Sequence, residues 1–318
     1  MIKPKIILTR KLPLSVEDLL KKDFDVTLNT FDKKFSKLKL KEALENYDGI
    51  LCCVSDNFDK EVLNTPNIRT SIISNFGVGV SNIDLEFVKT KKITITNTPD
   101  VLTDSTSNIA LFLILAVSRK TTFLENHLRS KKWKGFSVVE NLGIDLNKKN
   151  LGIVGMGRIG IATARKAYYA FGMKVSFYNR SIVKKLDFPA EQIFDLNKLI
   201  KKADVLSLHV PGSKVPIIKR DHFKIMKKNL ILINTSRGEV IDELSLINAL
   251  SLNKIFGAGL DVFLNEPKIN NAFYSIPNLT ILPHIGSATE NTREEMGMIA
   301  YKNLIAHFSD KKYISKVI

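Results

Sequence analysis

Short apolar or β-branched runs recur through the first hundred residues, at 5–10, 24–29, 49–54, 71–76 and 93–97. Segments of helical spacing with polar faces lie between them, at about 15–22, 37–46, 58–64 and 84–91. Runs of this length suit strands buried on both faces, and strands that alternate with helices pair in parallel. The pattern predicts a small α/β domain. From Asp104 the character changes, because Ser107 to Val117 is apolar nearly all round and the helical segment continues to about Ser130. Such a helix is buried between domains or subunits. The poorly patterned stretch from Trp133 to Lys149 is assigned to an oligomer interface. Alternation then resumes, with strands at 151–154, 174–178, 205–210, 230–235, 256–260 and 279–282 and helices near 195–203, 221–227 and 242–252. A final amphipathic helix, Ala288 to Phe308, crosses back to the first domain. The fold class is therefore α/β with two doubly wound parallel sheets. The expected domains are 1–103 plus 287–318, and 104–286.

The second domain is organised around Gly155-Met156-Gly157-Arg158-Ile159-Gly160, which ends one strand and opens a helix that Gly172 closes. In that setting Gly155 permits a tight turn, Gly157 lets a pyrophosphate approach the backbone, and Gly160 lets helix and strand pack closely. Free amides and the positive end of the helix dipole hold the anion. The next strand ends in Tyr178-Asn179-Arg180-Ser181, with no carboxylate to take a ribose 2′-hydroxyl. Arg180 can face a 2′-phosphate while Asn179 and Ser181 hydrogen-bond it, so NADP(H) is expected over NAD(H), with NAD(H) as the lesser cofactor.

Length and composition bound the remaining classes. With 318 residues and 44% hydrophobic content, the chain is long enough for two ordinary domains with real cores. The longest apolar run is too short to span a bilayer and no signal segment opens the chain, so a soluble cytoplasmic protein without a membrane partner is expected. Cys52 and Cys53 are neighbours in a strand and point to opposite faces, which makes them reduced packing residues and neither a staple nor a metal site. The net charge of +16 comes mostly from lysine pairs spread along the whole chain, such as Lys21-Lys22 and Lys201-Lys202. They form no basic arm, so no nucleic-acid partner is expected, although the field draws anionic cofactors and substrates inward.

In an open parallel sheet ligands bind beyond the carboxyl ends of the strands. Arg237 in Asn234-Thr235-Ser236-Arg237-Gly238, Asp261 after Gly257-Ala-Gly-Leu, and His284 after Leu279-Thr-Ile-Leu-Pro283 all stand there, with Glu266 five residues past Asp261. Reduction of a ketone needs such a set: a fixed cation for the substrate carboxylate and an acid near neutrality for the developing alkoxide. Arg237 suits the first role. His284 suits the second, with Glu266 holding its tautomer and favouring its protonated form. Taken singly, each residue also reads as an ordinary surface pair, loop acid or buried histidine; four reaching one edge by coincidence is harder to accept. His209-Val210-Pro211 is expected to line an adenosine pocket. In the first domain, Asn75-Phe-Gly77-Val78-Gly79 leaves a strand, and its amides at Val78 and Gly79 suit either a small carboxylate or a plain structural turn.

These motifs, together with Pro283-His-Ile-Gly-Ser-Ala-Thr289, resemble those of the D-isomer-specific 2-hydroxyacid dehydrogenases over essentially the whole chain. Thr98-Pro-Asp-Val-Leu-Thr-Asp104 and the Asn179–Ser181 turn look like the glyoxylate/hydroxypyruvate reductase branch, to which 2-ketogluconate reductases are close. The resemblance implies two similar α/β domains, the outer one built from both chain ends, and a homodimer formed through the nucleotide domain. It implies a small 2-keto or 2-hydroxy acid as substrate. Arg237, Glu266 and His284 would be catalytic, and Val78, Gly79, Arg237 and His284 would bind substrate. Besides the Gly155–Gly160 turn and the Asn179–Ser181 turn, the cofactor would meet Thr106, His209, Val210, Pro211, Thr235, Ser236, Arg237, Asp261 (at its carboxamide), His284 and Gly286. Alternatives are a silent dinucleotide-sensing protein of the corepressor type, and phosphoglycerate dehydrogenase, which usually carries an acidic residue at the 179–181 turn. Formate oxidation fits less well, since Glu266 would keep the imidazole charged where no proton moves.

Overall fold

The computed structural model describes residues 2–318. The chain divides into two compact units, Met1–Leu102 with Ser287–Ile318, and Thr103–Gly286. In the first unit the elements run β1 (Lys5–Leu8), α1 (Leu14–Asp23), β2 (Asp25–Thr27), α2 (Lys37–Asn46), β3 (Gly49–Cys53), α3 (Lys60–Leu63), β4 (Ile72–Phe76), α4 (Leu85–Thr90) and β5 (Thr94–Thr96). The strands form one parallel sheet in the order β2-β1-β3-β4-β5. Ile6, Ile50, Ile72 and Ile73 are fully buried in it, as an inner parallel sheet requires. Side-chain caps fix the helix starts, since Ser36, Asp59 and Asp84 accept from the amides of Lys39, Val62 and Phe87.

The second unit opens with α5 (Thr103–Ser118) and α6 (Thr121–Arg129). The single long helix expected to run to about Ser130 is in fact two, bent by 65°. Lys120 takes a left-handed φ of 55°, and the Ser118 carbonyl accepts from the amide of Ile144. The apolar run ends at Val117, so no buried face remains to carry the helix straight through Arg119 and Lys120. No single helix among the described residues is long and apolar enough to cross a membrane.

Then follow β6 (Asn150–Val154), α7 (Arg158–Phe171), β7 (Lys174–Tyr178), β8 (Ala190–Gln192), α8 (Leu196–Lys202), β9 (Val205–Leu208), α9 (Arg220–Ile225), β10 (Ile231–Asn234), α10 (Glu243–Ser251), β11 (Gly257–Leu260) and β12 (Leu279–Ile281). They form a seven-stranded parallel sheet ordered β12-β11-β10-β9-β6-β7-β8. The edge strand β8 has no apolar run to announce it; its sequence is Ala-Glu-Gln. Chain order reverses between β9 and β7, on either side of β6, and this is where a doubly wound sheet opens a crevice for a ligand. Gly172, at φ 61°, ends α7 as the sequence requires.

α11 (Glu290–Phe308) returns to the first unit and packs against β4 and α1. It lacks the clean amphipathic pattern expected of it, because Thr292 and Asn303 are buried along with Met296, Ala300 and Leu304. Asn303 is buried because its carboxamide is engaged at both ends, its oxygen accepting from the amides of Ile314 and Ser315 and its NH₂ donating to the Asn97 carbonyl just past β5.

Candidate active site

The carboxyl ends of six neighbouring strands in the second unit carry most of the residues singled out from the sequence. After β6, Gly155 has φ 94°, and a Cβ there would stand 2.4 Å from the His209 carbonyl oxygen. At Gly160 a Cβ would lie 2.2 Å from the Gly155 oxygen, so only glycine lets α7 start this close to the turn. Nothing lies within 4 Å of a Cβ at Gly157, the residue that caps α7. The turn is thus packed tightly beneath and open above, a cradle that fits a pyrophosphate on the α7 amides.

After β7, Asn179 accepts from the Met156 amide at 3.3 Å and donates to the carbonyl and hydroxyl of Ser181, both at 3.0 Å. One side chain thereby ties the glycine turn to the neighbouring loop. Gln192 on β8 clamps the same loop, donating to the Ser181 carbonyl at 2.9 Å and accepting from the Val183 amide at 3.1 Å. Arg180 and Ser181 are exposed on this loop. Gln192 escaped the sequence reading because nothing local marks a clamp eleven residues away.

After β9, His209 pairs with the Ser207 hydroxyl at 2.9 Å, and burial of its ring pushes its pKa down to about 4, so it is neutral at neutral pH. Its neighbour Val210 would be struck by a Cβ at Gly155, at 2.7 Å. Pro211 is exposed.

After β10, Asn234 shapes the turn that carries Arg237. Its carboxamide accepts from the amide and hydroxyl of Ser236 at 3.0 and 2.8 Å and donates to the Arg237 carbonyl at 2.8 Å. The guanidinium donates to the Ser236 carbonyl at 2.7 Å. Burial lowers its pKa, while the charges of Glu239 and Glu266 act the other way. Glu239 is a further neighbour that the sequence reading passed over, although it lies two residues on, in Arg237-Gly-Glu239. The Thr235 hydroxyl is buried and unpartnered among the described residues, which suits a ligand amide or hydroxyl at this edge. A Cβ at Gly238 would stand 2.0 Å from the Phe263 carbonyl carbon, so this glycine lets the Arg237 turn lie directly on the loop that carries Glu266.

Glu266 accepts from the Phe263 amide at 2.8 Å through one oxygen and pairs with His284 Nδ1 at 2.6 Å through the other. Burial pushes its carboxyl up, yet the hydrogen bond and charge of His284, the Phe263 amide and the Arg237 charge outweigh it and hold the group below the usual carboxylate range. With Nδ1 engaged, Nε2 of His284 is left for a reacting group. His284 itself has φ 55°. Asp261, at the end of β11, stabilises that conformation by accepting from the amides of Ile285 and Gly286, both at 2.7 Å. Burial raises the Asp261 carboxyl, and these two amides and the His284 charge oppose the rise. A Cβ at Gly286 would meet Asp261 at 3.1 Å and Thr106 at 3.3 Å, so Thr106, Asp261 and Gly286 form one contact group. An apolar cavity of about 290 Å³, lined in part by Phe263, Tyr274, Leu282 and Pro283, adjoins the Glu266–His284 pair.

Val78 and Gly79 belong to the first unit, at the carboxyl end of β4. Their amides have no hydrogen-bond partner among the described residues. Cys52 and Cys53 are free cysteines, and burial raises both thiols above their ordinary pKa.

Residues 111–286 match the NAD-binding domain of the D-isomer-specific 2-hydroxyacid dehydrogenases. Over 314 residues, 96% of this chain and 94% of the other, the sequence is 41% identical to a glyoxylate reductase of Thermococcus litoralis. A crystal structure of a Thermus thermophilus protein superposes with a TM-score of 0.90 at 36% identity, covering 99% of this chain and all of that one. An NADPH-dependent glyoxylate/hydroxypyruvate reductase of Sinorhizobium meliloti, in complex with NADP and malonate, superposes with a TM-score of 0.86 at 30% identity, covering 99% of this chain and 97% of that one. With two parallel-sheet α/β units, a glycine turn at the switch point and these matches over its whole length, the chain belongs to the D-isomer-specific 2-hydroxyacid dehydrogenase family and is an NAD(P)-dependent oxidoreductase.

Proposed function

We propose that this protein is an NADPH-dependent reductase of small 2-keto acids, glyoxylate and hydroxypyruvate first and 2-ketogluconate next, yielding D-2-hydroxy acids. The observation that carries the reading is the 2.6 Å pair between His284 Nδ1 and Glu266, on the same sheet edge as Arg237 and the open glycine turn. A bound reduced nicotinamide supplies the hydrogen and two electrons that C2 receives. Arg237 holds the substrate carboxylate and carbonyl with its planar fork. His284 donates its Nε2 proton to the carbonyl oxygen as negative charge gathers there, and Glu266 keeps the imidazole oriented through Nδ1. The histidine recovers its proton from water after the hydroxy acid leaves. The amides of Val78 and Gly79 are assigned to the substrate carboxylate as well. Gly155 to Gly160 take the pyrophosphate, His209, Val210 and Pro211 the adenosine, and Thr106, Thr235, Ser236, Asp261 and Gly286 the nicotinamide side.

Preference for NADPH rests on the turn after β7, where Arg180 is exposed with no acidic partner among the described residues and Asn179 and Gln192 preset the loop. The Sinorhizobium meliloti neighbour, described as NADPH-dependent, supports the same choice. Two desolvated, free thiols suit a reducing cytoplasm. The test is an initial-rate panel of the three keto acids with NADPH and with NADH. The reading requires a higher kcat/KM with NADPH and a shift toward NADH in Arg180→Asp, since the carboxylate repels a 2′-phosphate and accepts from a ribose hydroxyl. Equal efficiency with both cofactors refutes the preference, and no turnover with any of the three acids refutes the substrate class.

A further inference from the structure

The turn that follows β4 is held from behind by side-chain amides. Asn75, fully buried, donates to the carbonyls of Gly77 at 3.5 Å and Gly79 at 3.0 Å. The Thr98 amide also reaches the Gly77 carbonyl, at 3.0 Å. Asn97 donates to the carbonyl between them, that of Val78, at 2.8 Å. Three successive carbonyls are therefore anchored to protein. A trans peptide unit is planar, with its C=O and the following N–H pointing in opposite directions. Fixing the carbonyls of Gly77, Val78 and Gly79 consequently aims the amides of Val78, Gly79 and Val80 away from the groups that hold them. None of the three amides has a partner among the described residues. Unpartnered backbone amides on a fixed turn are ready donors to an anion.

Asn97 is in turn fixed by the chain that follows α11. Its Oδ1 accepts from the Ser315 hydroxyl, and its backbone carbonyl accepts from the buried Asn303 carboxamide at 3.3 Å. The Asn303 oxygen accepts from the amides of Ile314 and Ser315 at 2.9 and 3.2 Å. Residues beyond pair with β5, the Val317 amide donating to the Ile95 carbonyl at 2.8 Å. An unrestrained Asn side chain samples several rotamers, and each hydrogen bond at its oxygen narrows where its NH₂ points.

We infer that Asn97 is a positioning residue for substrate binding: it aims the Gly79 N–H at the substrate carboxylate, and Ser315 tunes it from a segment more than 200 residues away in sequence. This rests on the reading of the Val78–Gly79 turn as a carboxylate site. Asn97→Asp keeps the shape but puts a carboxylate oxygen against the Val78 carbonyl, which repels the turn out of alignment. Steady-state kinetics with glyoxylate and NADPH should show its KM for glyoxylate raised tenfold or more, with KM for NADPH within twofold of wild type. Ser315→Ala, a smaller change that leaves the packing of Val317 and Ile318 intact, should raise the glyoxylate KM two- to fivefold with the same selectivity and no change in Tm. A glyoxylate KM within twofold of wild type in Ser315→Ala and in any folded Asn97→Asp overturns the inference. So does a loss confined to kcat, or one shared equally by both KM values. Gly79→Pro, which removes the N–H itself, separates the two ideas. If it leaves the glyoxylate KM unchanged, the carboxylate site is wrong and the inference falls with it; if it raises that KM while the other two variants do not, only the role of Asn97 is lost.

Discussion

His284 occupies a left-handed backbone conformation, φ 55°, that is uncommon outside glycine, and Asp261 maintains it by accepting from the amides of the next two residues. The imidazole is thereby set where Glu266 can reach Nδ1, and Nε2 becomes the available proton donor. Replacing His284 by Asn removes the proton donor while retaining much of the volume. kcat for glyoxylate reduction should fall by about two orders of magnitude or more, with dinucleotide affinity by fluorescence titration little changed. Near-wild-type turnover would remove His284 from the mechanism. Glu266→Gln takes away the acceptor that fixes Nδ1, so kcat for glyoxylate reduction should fall by about an order of magnitude or more; an unchanged kcat would mean that the ring is oriented by something else. His209 gives a stability prediction of definite sign. Its folded pKa, about 4, lies below the unfolded value of about 6.5, so between those limits the unfolded chain binds a proton that the folded chain does not. Stability from this residue is complete above about pH 6.5 and declines toward pH 4, by an amount on the order of 2–3 kcal/mol. Thermal unfolding of the apoprotein from pH 7 to 4.5 should lose Tm more steeply than that of His209→Gln, and parallel curves would show that the ring is not desolvated as described.

At the scale of elements, the unit β6–turn–α7 depends most on the absence of a side chain. Gly160→Ala would place a methyl 2.2 Å from the Gly155 oxygen, which is backbone and cannot swing aside. Either α7 shifts or the turn opens, at a cost of about 1–3 kcal/mol. Dinucleotide binding by titration should weaken at least tenfold, because the amides that face the pyrophosphate move with the helix. Unchanged affinity would mean that the α7 start is not the phosphate site. This element was legible in the sequence because its signals are local: an apolar run, three glycines at fixed offsets, helical spacing and Gly172 as stop. The residues at the strand ends, Arg237, Glu266 and His284, could be read for a related reason, since strand ends are predictable and ligands gather there. The bend at Lys120 was hidden because it depends on the loop near Ile144 returning to cap the Ser118 carbonyl. Strand β8 was hidden because Ala-Glu-Gln has no period to show; it forms by pairing with β7. Gln192, Asn234 and Asn97 went unnoticed for the same reason. A carboxamide that shapes a turn leaves no pattern, and its role exists only once the chain has brought a distant backbone within hydrogen-bonding reach.

At the scale of the whole molecule, the stretch between α5 and β6 sets the clearest demand for a partner. Phe136 is 91% exposed, Val138 78%, Val139 77% and Trp133 61%, and Phe112 and Leu128 on the preceding helices are half exposed as well. Scattered apolar residues on a surface need no explanation, but this many within so short a stretch amounts to a patch of the kind that marks an interface. The net charge of +16 offers no alternative cover, since it favours anions and leaves the apolar side chains in water. A second copy of this chain, meeting the same patch across a two-fold axis, satisfies the demand with a self-complementary contact. A stable dimer needs roughly 800 Å² per partner, which aromatic and β-branched side chains of this number can supply. The homodimer is therefore proposed through residues 112–142. Light scattering coupled to size exclusion at micromolar concentration should return twice the mass of one chain. The paired change Phe136→Asp and Val139→Asp should return one chain mass, with the fold retained by circular dichroism, because both side chains lie outside the cores of the unit. A wild-type monomer, or a double variant that stays dimeric, assigns this surface to something other than a second copy.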